Sequence, residues 1–376
     1  MRVALVHDYL KEFGGAERVV DALLEVFPKA TLYTTIFLPE FAGPHKDKVK
    51  KWNIKTTWLQ KIPFKGKLIS PFRFIAPWVF KSIDLSSFDL VITSTAGTYT
   101  SPNFVKVGKK TLFICYCHTP PRYLYGYPTA NPWDEILWRK TLKFFGHIPM
   151  HFLRILDFQA AQRPGYFLAN SKEVAVRIQK FYRRDATVIY PPVDVSSGLV
   201  ASKRYPKENF YLTGGRLSRH KGMDIAVKAA TKLRLPLKVF GGGFASYGEE
   251  QLKAMSGKNV EFLGEITDSR KWELMAKAKA FLFPSEQEDF GIIPVEAMSA
   301  GTPVIALGQG GVLETVVDGK TGVLFRQRSV ESLEGAIRRF EKMKISSEVC
   351  IKQAQKFSKE RFVNEINNFV KLKIKS

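Results

Sequence analysis

Cysteine is scarce in this 376-residue chain, which carries Cys115, Cys117 and Cys350 and no others. An odd, sparse count excludes a disulfide framework. Cys115-Tyr116-Cys117 lacks the two-residue gap of a zinc knuckle, and no second Cys/His pair stands nearby. The three therefore read as buried small hydrophobes. Long apolar runs are missing too: none reaches the roughly 18 residues of a membrane span. The first apolar run, residues 3–6, is too short for the core of a signal peptide and reads as a strand. No Asn-x-Ser/Thr sequon with a permitted middle residue occurs, nor any Asp-x-Asp. The missing membrane span, signal-peptide core and sequon point to the cytosol.

Acidic residues are the other shortage. Lys and Arg total 58 against 35 Asp and Glu, a formal charge of +23. The excess is uneven: residues 1–190 hold 28 cationic and 14 acidic residues, and residues 41–83 hold ten against Asp47 alone. Trp52, Trp58, Phe64, Phe72, Phe74, Trp78 and Phe80 are interleaved there. A basic and aromatic surface suits an anionic bilayer. It suits nucleic acid as well, so charge alone does not decide. Residues 136–156 are apolar and basic with no acid, and Pro149 is expected to break them. Two readings stay open for that stretch: a segment lying in a bilayer surface, or an amphipathic helix packed on its own domain.

The length suits two α/β domains of under 200 residues each. Residues 3–6 lead through a loop with Gly14-Gly15 into helical spacing from Ala16, the opening of a Rossmann-like unit. Residues 89–93, 111–115 and 166–170 read as further buried parallel strands. Pro191-Pro192 marks a boundary. Beyond it the pattern restarts: residues 210–213, 237–240, 260–263, 280–283 and 303–307 are each followed by glycine or proline. Repeated strand and turn, mostly followed by helical spacing, describes a doubly wound parallel sheet. The tail from Ser346 reads as helices.

The most informative stretch is Glu288-Asp289-Phe290-Gly291-Ile292-Ile293-Pro294-Val295-Glu296-Ala297-Met298-Ser299-Ala300-Gly301-Thr302-Pro303-Val304. Pro294 fits only the first turn of a helix, so a helix should start near residues 291–293 with its N–H groups aimed from the sheet's carboxyl edge. That end attracts anions, and ligands of open α/β sheets sit beside that edge. Glu288 in the loop and Glu296 in the helix are placed to grip two parts of one elongated ligand. Glu-x7-Glu followed by Ala-Met-x-Ala-Gly-x-Pro-Val resembles the signature of glycosyltransferase family 4, retaining enzymes of the GT-B fold. Gly14-Gly15-Ala16-Glu17-Arg18, Cys117-His118-Thr119-Pro120, Ala169-Asn170-Ser171, Pro191-Pro192-Val193-Asp194 and Gly215-Arg216-Leu217 with Lys221-Gly222 stand where that family has its other elements.

The resemblance implies two Rossmann-like domains facing across a cleft: an acceptor-side domain at 1–190, a nucleotide-sugar domain at 191–355, and a helix at 356–376 crossing back to the first. It implies that Arg216 and Lys221 bind the donor diphosphate and that Glu296 holds the ribose. Glu288, with backbone N–H groups at Phe290, Gly291 and Ile292, would hold the transferred sugar. Gly14 and Gly15 would let backbone approach phosphate or acceptor, and His118 would sit beside the sugar. Retention in the family is described as front-face attack assisted by the leaving phosphate, without metal or cofactor. Residues 116–125 resemble bacterial mannosyltransferases of surface-polysaccharide assembly. This favours GDP-mannose as donor and a lipid-linked saccharide as acceptor, at the cytoplasmic face of the cell membrane, with residues 41–83 on the anionic surface. A UDP-sugar donor, an epimerase or phosphorylase on the same architecture, and a nucleic-acid-binding protein are the alternatives. The last lacks any helix-turn-helix, zinc-finger or RRM signal and leaves the two glutamates without a role.

Overall fold

The computed structural model describes residues 1–97, 99, 102–127, 139–243 and 248–375, without the side chains of 139–148 and 375. The described residues form two units: one runs through Pro192 and resumes at Phe362, the other is Val193–Arg361.

The first unit is built on a seven-stranded, all-parallel sheet of β1 (Val3–His7), β2 (Thr31–Thr34), β3 (Ile54–Thr56), β5 (Leu90–Thr95), β7 (Leu112–Cys117), β8 (Tyr166–Ala169) and β9 (Thr187–Val188), in the order β3-β2-β1-β5-β7-β8-β9. The short strands β4 (Asp84–Leu85) and β6 (Lys106–Val107) pair separately. The central strands β1, β5 and β7 are buried along almost their whole length, as a sheet covered on both faces requires, and β1 and β5 turn polar at their carboxyl ends. β2 and β3 were not legible as strands: each is short, and its partners are distant in sequence. The three cysteines are free and buried.

On one face of this sheet the core contains Val19, Leu23, Ile92, Ile114 and, from the far end of the chain, Phe362, Ile366 and Val370. Those last three sit on the Lys359–Lys375 helix, spaced to fall on one face. Phe362 meets the Tyr116 ring edge-on at 5.9 Å.

The helix Arg139–Ala161 runs through Pro149, which therefore does not break it. A proline removes one ladder hydrogen bond and bends a helix, and a 23-residue helix can keep its course across that loss. Residues 136–138 and the side chains up to 148 lie outside the described residues. Beyond them Phe152 and Ile155 are exposed, while Asp157 and Ala160 are buried.

The second unit carries a six-stranded, all-parallel sheet of β10 (Tyr211–Gly214), β11 (Leu237–Phe240), β12 (Val260–Phe262), β13 (Ala280–Phe283), β14 (Val304–Leu307) and β15 (Gly322–Phe325), ordered β12-β11-β10-β13-β14-β15. The order reverses between β10 and β13, the switch point where open α/β sheets bind ligands. Met223, Ala226, Leu282, Ile305, Leu333 and Ile337 belong to its core.

Candidate functional site

At the switch point of the second unit, the loops after β10 and β13 lie together. After β10 the chain passes Gly215 (φ +121°) and the exposed Arg216, makes a single 3-10 turn at Arg219–Lys221, and enters the helix Met223–Leu233 through Gly222 (φ +68°). A Cβ on Gly222 would stand 2.4 Å from the Pro284 carbonyl oxygen, so only glycine lets this turn rest on the end of β13. From across that contact the Glu286 N–H donates to the His220 carbonyl at 3.1 Å.

The turn delivers Lys221 to Glu288: its Nζ donates to Glu288 Oε1, which also accepts from the Ser285 hydroxyl. Both members of the pair are largely but not fully buried, at 21% and 13% side-chain exposure, and so are within reach of a ligand. Three residues on, Gly291 (φ +88°) opens the helix Ile292–Ser299. Glycine has no side chain with which to cap, so the first N–H groups of that helix are left for an anion. Phe290 is core, packed edge-on against Phe357 at 5.3 Å, so it can offer a ligand only its backbone. Pro294 occupies the third helical position, where its missing N–H costs no ladder bond.

Glu296 lies one turn into the same helix and is 2% exposed. Its Oε1 accepts from Lys271 Nζ at 3.0 Å, and Lys271 also approaches Asp268 at 3.4 Å. Burying a carboxylate is costly unless a cation meets it. Lys271 supplies that cation from the helix Asp268–Lys277, and the sequence reading missed it. The motif containing Glu296 does not mention a residue 25 positions upstream. Arg216, Lys221, Glu288, Gly291, Ile292 and Glu296 thus occupy one carboxyl edge of one sheet.

In the first unit, His118 follows β7 directly. It is 8% exposed and has Nε2 2.9 Å from Ser94 Oγ at the neighbouring end of β5. His7, ending β1, places Nδ1 3.0 Å from the Ser94 carbonyl oxygen and 3.2 Å from Ser94 Oγ. Its Nε2 is 3.4 Å from Glu17 Oε1, and Glu17 Oε2 accepts the Gly14 N–H at 2.8 Å. Gly15 is the first residue of the helix Gly15–Val26, and Glu17 stands in its first turn, where a carboxylate suits the helix dipole. Burial presses against charge on both His7 and Glu17. Their mutual hydrogen bond and attraction overcome it, raising the His7 pKa and lowering that of Glu17. Burial, with His7 adding repulsion, pushes His118 down to about 3, which leaves it neutral. Sequence reading found Gly14, Gly15 and His118 but not His7, Glu17 or Ser94. The available signal was that β1 and β5 both end in polar residues.

The loop after His118 is held by Arg177, which is buried and donates to Thr119 Oγ1 at 3.2 Å with its guanidinium 4.3 Å from the Tyr127 ring centre. Nearby, Asp157 lines a small cavity with Thr95, Thr119 and Tyr182 and accepts hydroxyls from Tyr182 at 2.8 Å and Tyr125 at 2.9 Å. Burial raises its pKa to about 7 against those two hydrogen bonds.

Comparison with known proteins places the chain in a family. The family description "Glycosyltransferase Family 4" matches residues 13–197, and "Glycosyl transferases group 1" matches residues 200–357. The chain is 25% identical to the alpha-1,3/1,6-mannosyltransferase ALG2 of Candida glabrata, over 84% of this chain and 78% of that protein. It is 25% identical to human ALG2 over 79% and 76%. Among solved structures, the sucrose-phosphate synthase of Thermosynechococcus elongatus superposes with a TM-score of 0.72 at 17% identity, covering both chains fully. Anabaena HepE in complex with UDP gives 0.67 at 17%, covering 99% of this chain and all of that one. At such identity the structures establish the fold, and the two family matches span nearly the whole sequence. The chain belongs to the family 4 glycosyltransferases and has the GT-B fold.

Proposed function

We propose that this glycosyltransferase moves mannose from GDP-mannose, with retention at the anomeric carbon, onto a lipid-linked saccharide. One observation carries the donor half of the reading: Lys221 and Glu288 meet at the uncapped start of the Ile292–Ser299 helix, with Glu296 one turn inside it. A nucleoside diphosphate sugar offers each group a partner. Lys221, Arg216 and the helix N–H groups take the diphosphate, where point-charge and forked donors are wanted. Glu288 turns to sugar hydroxyls and Glu296 to the ribose. As the sugar–phosphate bond breaks, the leaving diphosphate gathers negative charge, and these fixed donors stabilise it. On this reading the second unit is the donor domain and the first serves the acceptor. Mannose is supported by the mannosyltransferase names of relatives matched over most of the chain.

The acceptor half rests on residues 41–83. Trp58, Phe64, Phe74 and Trp78 are exposed, at 53%, 79%, 42% and 59%, among ten cationic residues. Phe72 and Phe80 from the same stretch are buried. Large exposed aromatics among lysines fit the interfacial zone of an anionic bilayer. At about 1 kcal/mol per basic residue near such a surface, a few suffice for reversible docking. No helix among the described residues is long and apolar enough to cross a membrane. The inner face of the cell membrane is the proposed place of work.

Transfer of radiolabelled sugar to a polyprenyl-diphosphate saccharide tests the reading. GDP-mannose should serve as donor and UDP-glucose should not; equal or better transfer from UDP-glucose removes the proposed donor. The anomeric proton of the product, read by NMR, decides retention. Sedimentation with vesicles containing anionic lipid should capture the protein at low salt and release it at high salt. Indifference to lipid charge refutes the docking surface.

A further inference from the structure

The polar chain at the edge of the first unit's sheet determines where one hydrogen must lie. A backbone carbonyl only accepts, so the His7 nitrogen 3.0 Å from the Ser94 carbonyl oxygen, Nδ1, carries a hydrogen. That N–H also faces Ser94 Oγ at 3.2 Å. A hydroxyl has one hydrogen and two lone pairs. With a lone pair turned to His7, the Ser94 hydrogen goes to its other partner among the described residues, His118 Nε2 at 2.9 Å. His118 Nε2 is then an acceptor, and the hydrogen of the imidazole sits on Nδ1.

Glu17 anchors the other end. Its two oxygens reach His7 Nε2 at 3.4 Å and the Gly14 N–H at 2.8 Å, so the glycine loop and the His118 imidazole are tied to one carboxylate. His7, Glu17 and Ser94 are 1%, 6% and 2% exposed, so bulk water does not compete for these bonds. Burial keeps His118 neutral, and its neighbour His7 presses the same way.

We propose that Glu17, His7 and Ser94 are positioning residues that lock His118 in its Nδ1–H tautomer, so that it meets a sugar hydroxyl as a hydrogen-bond donor and not as a base. The proposal rests on the reading that this unit meets a saccharide substrate. It adds that the hydroxyl His118 meets must accept, and that the glycine loop cannot shift without loosening the imidazole.

The test uses the intact enzyme labelled with 15N-histidine. The His118 signals are assigned as those lost in His118→Gln. In the native enzyme His118 should show a protonated-type Nδ1 and an unprotonated-type Nε2. Ser94→Ala should convert this to a tautomer mixture and lower kcat about tenfold, the worth of roughly one hydrogen bond, with the donor KM within about twofold. Ser94→Thr, which keeps the hydroxyl, should restore both the spectrum and most of kcat. A native His118 protonated on Nε2 overturns the proposal, and so does a Ser94→Ala enzyme with unchanged spectrum and kcat. The native spectrum decides the tautomer even if Ser94→Ala folds poorly, and Glu17→Gln supplies a second break in the chain. Full activity in His118→Gln, whatever the spectra, overturns the role of His118 at the sugar instead.

Discussion

The two candidate regions, one in each unit, bury their carboxylates in different ways. In the second, carboxylates meet lysines: Glu288 with Lys221, Glu296 with Lys271. Around His118 and Asp157 in the first they do not, although Asp21, elsewhere on the Gly15–Val26 helix, pairs with Lys48 at 2.6 Å. Glu17 faces a histidine and Asp157 faces two tyrosine hydroxyls. A lysine–carboxylate pair consists of two full charges, each of which a charged ligand can take over. A hydroxyl–imidazole chain has fixed directions and little freedom to exchange. On the proposed reading, the Lys221–Glu288 pair can trade partners with a diphosphate, while the chain around His118 holds one donor hydrogen in place.

That contrast can be broken at its most charged point. Lys221→Ala should reduce turnover by about a thousandfold, the loss of a charge-stabilising donor on the leaving group, while circular dichroism and melting stay near native. Normal turnover in this variant would dissolve the donor side of the comparison. Lys271→Ala should act differently: it leaves Glu296 buried without its lysine and should cost stability on the order of 3 kcal/mol, read by urea titration, and weaken GDP binding in a thermal-shift assay.

The first unit has a matching apolar test. Phe362→Ala removes a ring with no exposed surface from the core over β5 and β7 and should cost roughly 3 kcal/mol. It should lower the unfolding midpoint of the first unit more than that of the second.

Asp157 sharpens the comparison through pH. Its folded pKa of about 7 lies above the ordinary 3.8, so the folded state holds a proton that the unfolded state has lost between those values. Its contribution is therefore fully present at acid pH and is lost as pH climbs from about 4 through 7. Asp157→Asn should match the native protein near pH 4.5 and exceed it at pH 8 by about 3 kcal/mol, seen as a melting difference that grows with pH. The smallest change is Tyr125→Phe, which removes one hydroxyl from Asp157 and should cost about 1 kcal/mol at pH 8.

The second unit was more legible than the first for a physical reason. Its strands at Tyr211–Gly214, Leu237–Phe240, Ala280–Phe283 and Val304–Leu307 are buried apolar runs closed by glycine or proline, a local signal. β15 escaped notice because it opens on Gly322 after the turn at Asp318. In the first unit, Ile54–Thr56 is three residues at a sheet edge, partly or fully exposed, and its strand character comes only from pairing with β2. Pro149 misled for a related reason: proline penalises a helix locally, but a long helix can absorb that penalty. Among site residues, Lys221, Glu288, Glu296 and His118 could be read because they stand in motifs of contiguous sequence. Ser94 and Lys271 could not, since their meaning lies in partners 87 and 25 residues away.

Phe362, Ile366 and Val370 fill the core beside β1, β5 and β7, strands laid down some 250 residues earlier or more. During synthesis the second unit, continuous in sequence among the described residues, can close as soon as Arg361 has left the ribosome. The first unit, though begun earlier, must wait with an open apolar face until the helix that covers it arrives, and in that interval it is the part of the molecule most exposed to aggregation.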